Sequence, residues 1–196
     1  MSAENGDMPG DETPQRPRTI RPELVGGPEP VIVPLHEYDP AWRDVYLAHA
    51  QRIRTALLPA HPRIEHIGST SVPGLAAKPI VDIVVEVDDI GAEDEYLPAL
   101  LAAGYVLRVR EPAHRLVRTP TRDVHVHLYG KDDPAIGEYL LLRDRLRTHA
   151  GDRALYEDTK RMLLSRPWDD MNDYAEAKTD VIRAIKDRAR AAAARS

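Results

Sequence analysis

Apolar residues along this chain fall into blocks whose period changes from helical to alternating and back. Trp42, Val45, Tyr46, Ala50, Ile53 and Leu57 recur at steps that place them on one face of a helix. Asp39-Pro40 precede them, an aspartate cap followed by a proline in the first turn. Residues 80–87, IVDIVVEV, are dominated by β-branched side chains and predict a strand; residues 63–67 predict a shorter one. The GSTSVPGL segment between them, with two glycines and a proline, reads as a loop. Helical spacing returns over 92–103, with Gly104 as its stop. YVLRVRE at 105–111, HRLVRT at 114–119 and DVHVHLYG at 123–130 alternate as half-buried strands do. From 135 the pattern is helical again around Leu140, Leu141 and Leu146, and two more helices are expected over 153–165 and 171–193, parted by Arg166-Pro167. VIVPL at 31–35 predicts a first short strand, which Pro34 restricts to an edge. The order β-α-β-loop-β-α-β-β-β-α-α-α predicts an α+β fold: a mixed sheet with flanking helices and a helical C-terminal part.

Residues 1–30 depart from this patterning. They carry six prolines (Pro9, Pro14, Pro17, Pro22, Pro28, Pro30) and few apolar side chains. Such a segment buries too little surface to offset its ordering entropy and is expected to be a disordered extension. Residues 31–190 are then one domain, large enough for a single core. Cysteine is absent from the 196 residues, which excludes disulfides, thiolate zinc sites and a thiol nucleophile. Phenylalanine is absent too, so the core must rest on Leu, Val, Ile and Ala. The net charge of −5 argues against a broad electrostatic grip on nucleic acid and leaves room for a local basic pocket. No apolar run approaches the ~20 residues that span a bilayer, and the first residues lack the basic and apolar regions of a signal peptide. A cytoplasmic protein without membrane association is expected.

The chemistry concentrates in IEHIGSTSVPGLAAKPIVDIVVEV. Gly68, Ser69, Thr70 and Ser71 form a small polar turn directly after a predicted strand, where backbone N–H groups and hydroxyls can approach a phosphate. Lys78 adds positive charge, and Asp82 puts a carboxylate on an otherwise apolar strand, where it can hold a divalent cation against phosphate oxygens. The loop is not a P-loop, since it lacks GKS or GKT. A plain Gly-Ser turn with a solvated lysine is the simpler reading, but an unpaired acid inside IVDIVVEV would be costly to bury. Further on, Asp123, His125 and His127 alternate and share a strand face. Two histidines at i and i+2 can share a metal, completed by Asp82 if the strands are neighbours, with His66 and Glu65 as further candidates. A hydrogen-bonded polar layer, or acid–base or phosphate contacts, would use the same pair. Tyr156 with Lys160, and Tyr174 with Lys178, each share a helical face and could line a pocket for a base and phosphates; snorkelling lysines are the simpler alternative. Arg143, Arg145 and Arg147 splay round their helix.

The stretch IEHIGSTSVPGLAAKPIVDI resembles the signature of the GrpB family, whose fold belongs to the nucleotidyltransferase superfamily. YDPAW at 38–42, HVHLY at 125–129 and LRDRLRTH at 142–149 are similar to family segments in the same places. The resemblance implies a Gly-Ser turn before a strand with two acids at alternate positions, holding two metal ions that orient a triphosphate and an attacking hydroxyl. Gly68, Ser69 and Asp82 match that pattern; Val84 stands where the second acid is expected, and Glu86 lies about 7 Å further along at ~3.3 Å per residue. Read with the histidine strand, the residues point instead to a divalent metal, magnesium or manganese with zinc as a further candidate, on Asp82, His125 and His127, which would also be the catalytic residues. ATP or another nucleotide is expected on Gly68, Ser69, Thr70, Ser71, Lys78, Arg143, Lys160 and Lys178. The expected activity is nucleotidyl transfer to a small acceptor. A non-catalytic module binding nucleotides or coenzyme A precursors, and an ATP-using ligase or hydrolase, are the alternatives, and similar domains occur fused to dephospho-CoA kinases.

Overall fold

The computed structural model describes residues 23–25, 35–165 and 176–195. Six strands form one sheet: β1 (Glu23–Leu24), β2 (Ile64–Ile67), β3 (Val81–Val87), β4 (Val106–Glu111), β5 (His114–Arg118) and β6 (Val124–Gly130). Their spatial order is β1-β4-β5-β6-β3-β2. All neighbours run antiparallel except β3 and β6, which are parallel. Among the described residues five α-helices accompany them: α1 (Ala41–Ala56), α2 (Leu97–Ala102), α3 (Pro134–Thr148), α4 (Ala150–Leu164) and α5 (Thr179–Ala193). The architecture is the expected α+β mixed sheet with flanking helices and a helical C-terminal part.

Strand alternation divides the molecule. Val81, Ile83, Val85, Val124, Val126 and Leu128 pack on one face of the sheet against Trp42, Ala50 and Ile53 of α1 and Leu97 and Leu100 of α2. On the other face Ile67, Val84 and Tyr129 meet Ile136 at the start of α3. A third cluster joins the loop after β2 to the C-terminal helices: Val72 and Leu75 pack with Leu146, Tyr156 and Ile185. The loop is therefore anchored from below by α3, α4 and α5. Pro40, not Asp39, stands at the N-cap of α1, and Asp39 one residue earlier accepts at Oδ1 from the Ala41 amide at 2.8 Å.

The boundaries depart from the sequence pattern in three places. The helix expected over 92–103 is a 3-10 turn, Glu93–Glu95, followed by α2, because Pro98 in the first turn lacks the N–H that a continuous helix would need. Glu93 in that turn accepts from Arg110 at 2.9 and 2.8 Å and from Arg115 at 2.5 Å, which ties it to the β4–β5 hairpin. The helix expected from 153 begins at Ala150, where the His149 ring accepts from the Asp152 amide at 3.1 Å. Glu23 and Leu24, inside the stretch expected to be disordered, pair with the outer edge of β4, and Arg108 Nη1 donates to the Val25 carbonyl at 2.6 Å. An otherwise open edge offers those backbone partners. The rest of 1–30, all but Leu35 of the strand expected at 31–35, and the start of the helix expected from 171 lie outside the described residues.

Leu100 is fully buried and anchors the short α2 on the sheet. Leu100→Ala is expected to lower the unfolding free energy by about 2–5 kcal/mol, read from urea titrations monitored by circular dichroism.

Candidate functional site

β3 and β6 run parallel with Asp82 opposite His125 and Val84 opposite His127. Paired residues project to the same face, so Asp82, His125 and His127 converge on the side away from α1 and α2. Asp82 Oδ1 lies 3.6 Å from His125 Nδ1 and 3.7 Å from His127 Nε2. One ligand atom from each of the three falls within 4.8 Å of the others. Ligands about 2.1 Å from a tetrahedral ion stand about 3.4 Å apart, so these spacings fit three corners of such a site.

The neighbours of His127 set its proton. Glu111 Oε2 lies 2.7 Å from His114 Nδ1, and His114 Nε2 lies 3.2 Å from His127 Nδ1. The His114 ring is stacked between His127 and Tyr129, with centroids 5.3 and 4.7 Å away. Burial, then the proximity of His127, pushes the His114 ring towards its neutral form. A neutral His114 donates from Nδ1 to the Glu111 carboxylate and accepts at Nε2 from His127 Nδ1–H. His127 Nε2 faces the Asp82 carboxylate. Burial raises the Asp82 carboxyl, but His127, His125 and His66 outweigh it and hold it below its ordinary value. Burial also lowers His125, against the pull of Asp82. A carboxylate oxygen and two imidazole nitrogens thus converge, a ligand set that fits a divalent cation in place of the imidazole proton. Its mix of nitrogen and oxygen suits manganese or zinc as well as magnesium.

The glycine turn closes on this group. Gly68 has φ 70° and ψ −175°, a conformation almost confined to glycine, and a Cβ there would overlap Oδ2 of Asp82. Ser69 Oγ accepts from Lys160 Nζ at 3.3 Å. Lys160 is 3% exposed, donates also to the Ala76 carbonyl, and lies 5.0 Å from the Tyr156 ring centre. Burial is the main cause that pulls its ammonium down to about 8. Lys178 is half-buried within electrostatic reach of both Asp82 and Lys78, and Lys78 also acts on His125. The structure therefore gathers Gly68, Ser69, Lys78, Lys160 and Lys178 beside the Asp/His group.

Other candidates have different surroundings. The Thr70 hydroxyl donates to the Ile80 carbonyl at 3.1 Å, and Ser71 Oγ donates to the Gly68 carbonyl at 2.6 Å; both residues are buried and shape the turn. Arg143 is held by Glu65 at 2.8 Å and Asp144 at 2.7 Å and fastens α3 to β2. Glu65 shares the site's face but is engaged there. His66, opposite Ile83, points to the other face, where it stacks on Tyr46. Asp123 is bound by Thr119 and Thr121 at 2.6 and 2.5 Å. Glu86 lies at the far end of β3 among His61, Arg63 and Asp88. Tyr174 lies outside the described residues. Sequence reasoning missed Glu111 and His114. The signal was the alternation of HRLVRT, which sets His114 opposite Tyr129 once β5 pairs with β6.

Gly68→Ala is expected to cost about 1–3 kcal/mol of stability and to displace the Asp82 carboxylate, measurable by urea unfolding and by the Asp82 chemical shift. Lys160 gives a pH signature. Its folded-state value, about 8, lies below its ordinary 10.5, so the charged form opposes folding and that opposition is relieved as the amine deprotonates. Wild-type stability relative to Lys160→Met is expected to rise with pH between about 8 and 10.5 and to stay level below that window.

The family model described as GrpB protein matches residues 32–188. A UPF0157 protein of Streptomyces coelicolor is 62% identical over 178 residues, which cover 91% of this chain and 95% of that protein. The crystal structure of conserved protein GrpB from Enterococcus faecalis superposes with a TM-score of 0.71 at 32% identity, covering 80% of this chain and 96% of that one. A protein of Mycolicibacterium paratuberculosis named dephospho-CoA kinase is 29% identical over 71% of this chain and only 42% of its own length. The Gly68–Ser71 turn, Asp82, His125, His127 and the loop-packing residues Leu146, Tyr156 and Ile185 lie within the matched residues, and the chain belongs to the GrpB family.

Proposed function

We propose that this chain is a metal-dependent enzyme of the nucleotidyltransferase type. The observation that carries the reading is the convergence of Asp82, His125 and His127 beside a glycine turn that Lys160 contacts, with Lys78 and Lys178 within electrostatic reach of the group. Asp82, His125 and His127 hold one divalent ion. A nucleoside triphosphate lies with its phosphates against Gly68 and Ser69, and the lysines neutralise the charge that builds up on them. An acceptor hydroxyl attacks the α-phosphorus, the bond to the bridging oxygen breaks, and pyrophosphate leaves; the hydroxyl proton passes to water or to a neighbouring base. With Val84 in place of a second acid, Asp82, His125 and His127 would hold a single ion, whose charge would polarise the phosphoryl oxygens. The reading needs no nucleic-acid or membrane partner and assigns the protein to the cytoplasm. Among the described residues no helix is long and apolar enough to cross a membrane.

A second reading is favoured by the similarity to the protein named dephospho-CoA kinase, of which the match covers less than half. A domain of this kind would bind a nucleotide or coenzyme A precursor as an accessory module without turning it over. Calorimetry with ATP and the other nucleoside triphosphates, each with magnesium, with manganese and with neither, tests both. The enzyme reading expects metal-dependent binding of a triphosphate that weakens by roughly a hundredfold in Asp82→Ala, followed by release of pyrophosphate once an acceptor is supplied. Equal binding of nucleotide and metal by wild type and Asp82→Ala would sink it. Metal-independent binding without turnover would favour the accessory module.

A further inference from the structure

A second cleft, of about 670 Å³, opens on the far side of the same loop. Tyr38, Arg43 and Tyr46 line it from the start of α1, Arg147 and Arg153 from the corner between α3 and α4, and His66 from β2. The His66 and Tyr46 rings are stacked, 4.8 Å apart and 12° from parallel. No acidic side chain lines the cleft among the described residues. The carboxylate of Asp144, outside the lining, stands 3.9 Å from Arg147 Nη1.

The surroundings are unusually positive. Burial and the charge of Arg147 hold His66 down at about 4, so its ring is neutral at physiological pH. Burial and Arg143 push the Arg147 guanidinium below its ordinary value despite Asp144. Arg147 Nε donates to the Ser71 carbonyl at 2.9 Å, and Arg153 donates to the Leu146 and Arg147 carbonyls at 3.1 and 3.3 Å. Backbone carbonyls orient these guanidiniums without cancelling their charge. The exposed Arg43 makes no side-chain hydrogen bond or ion pair with the described residues.

Planar guanidinium forks match the oxygens of phosphate or carboxylate, and aromatic walls cover a ring. We propose that this cleft binds a small ring-bearing phosphate or carboxylate, at a site separate from the Asp82 group. His66 and Asp82 project from opposite faces of the sheet, and none of Asp82, His125 and His127 lines the cleft. The loop connects them. Thr70 Oγ1 lies 3.1 Å from His66 Nε2, Arg147 holds the Ser71 carbonyl, and Gly68 abuts Asp82. An anion that engages Arg147 competes with the Ser71 carbonyl and shifts the turn that shapes the other site.

Calorimetry on the full chain without divalent metal tests this, with phenyl phosphate, inorganic phosphate and benzoate as probes. Phenyl phosphate is expected to bind more tightly than inorganic phosphate; tighter binding of benzoate would assign the carboxylate form of the ligand. Arg43→Ala and Arg147→Met are each expected to weaken binding roughly tenfold, whereas Asp82→Ala and Lys178→Ala leave it within about twofold. Arg43 is a surface residue of α1, so its variant reports even if Arg147→Met loosens the loop. The proposal is overturned if none of the three probes binds, or if both arginine variants bind normally and Lys178→Ala does not. Retention of binding in Asp82→Ala keeps this outcome independent of the nucleotide reading.

Discussion

The parallel pairing of β3 with β6 is the constraint on which the rest depends. Its register sets Asp82 against His125 and Val84 against His127. The same register turns Ile83, Val85, Val124, Val126 and Leu128 into the main core, where all five are 0% exposed. A slip of one residue would exchange the two faces and drive a carboxylate and two imidazoles into that core. Packing on one face of the sheet therefore fixes chemistry on the other, and no separate device is needed to bring the three polar side chains together.

The C-terminal helices extend the same logic to the loop. Val72 and Leu75 are held by Leu146, Tyr156 and Ile185, so the turn at Gly68–Ser71 is not a free surface segment. Asp152, 4% exposed, accepts from Arg145 at 2.6 Å and from Arg188 at 2.8 Å and locks α3, α4 and α5 together. That lock positions α4, which brings Lys160 under Ser69. Burying the ammonium opposes folding, and an apolar side chain of similar shape would fill the space with less penalty. The arrangement makes sense if an anion on the loop restores the favourable interaction.

Most strands and helices were legible because their apolar residues recur with clear periods. IVDIVVEV and DVHVHLYG could be read as strands, and the placement of His125 and His127 on one face followed from alternation alone. Their adjacency to Asp82 did not follow, because it depends on the sheet order, which places β6 next to β3 across 36 intervening residues. His66 illustrates the converse: it is close to Gly68 in sequence, yet strand alternation turns it to the opposite face. Thr70 and Ser71 look like phosphate donors in one dimension, while in three their hydroxyls close the turn. Alternation in HRLVRT put His114 on a strand face, but its contact with His127 depends on β5 pairing with β6, which the local pattern does not show.

The central claim is that the Asp/His group is a cation site. Anomalous diffraction from crystals grown with manganese, and separately with zinc, tests it most directly. The account predicts one peak about 2.0–2.3 Å from an Asp82 oxygen, His125 Nδ1 and His127 Nε2, with the His114–Glu111 pair still bonded behind His127. Metal at other surface positions with none between these three side chains, or His127 Nε2 bonded directly to Asp82 in the presence of excess ion, would contradict it.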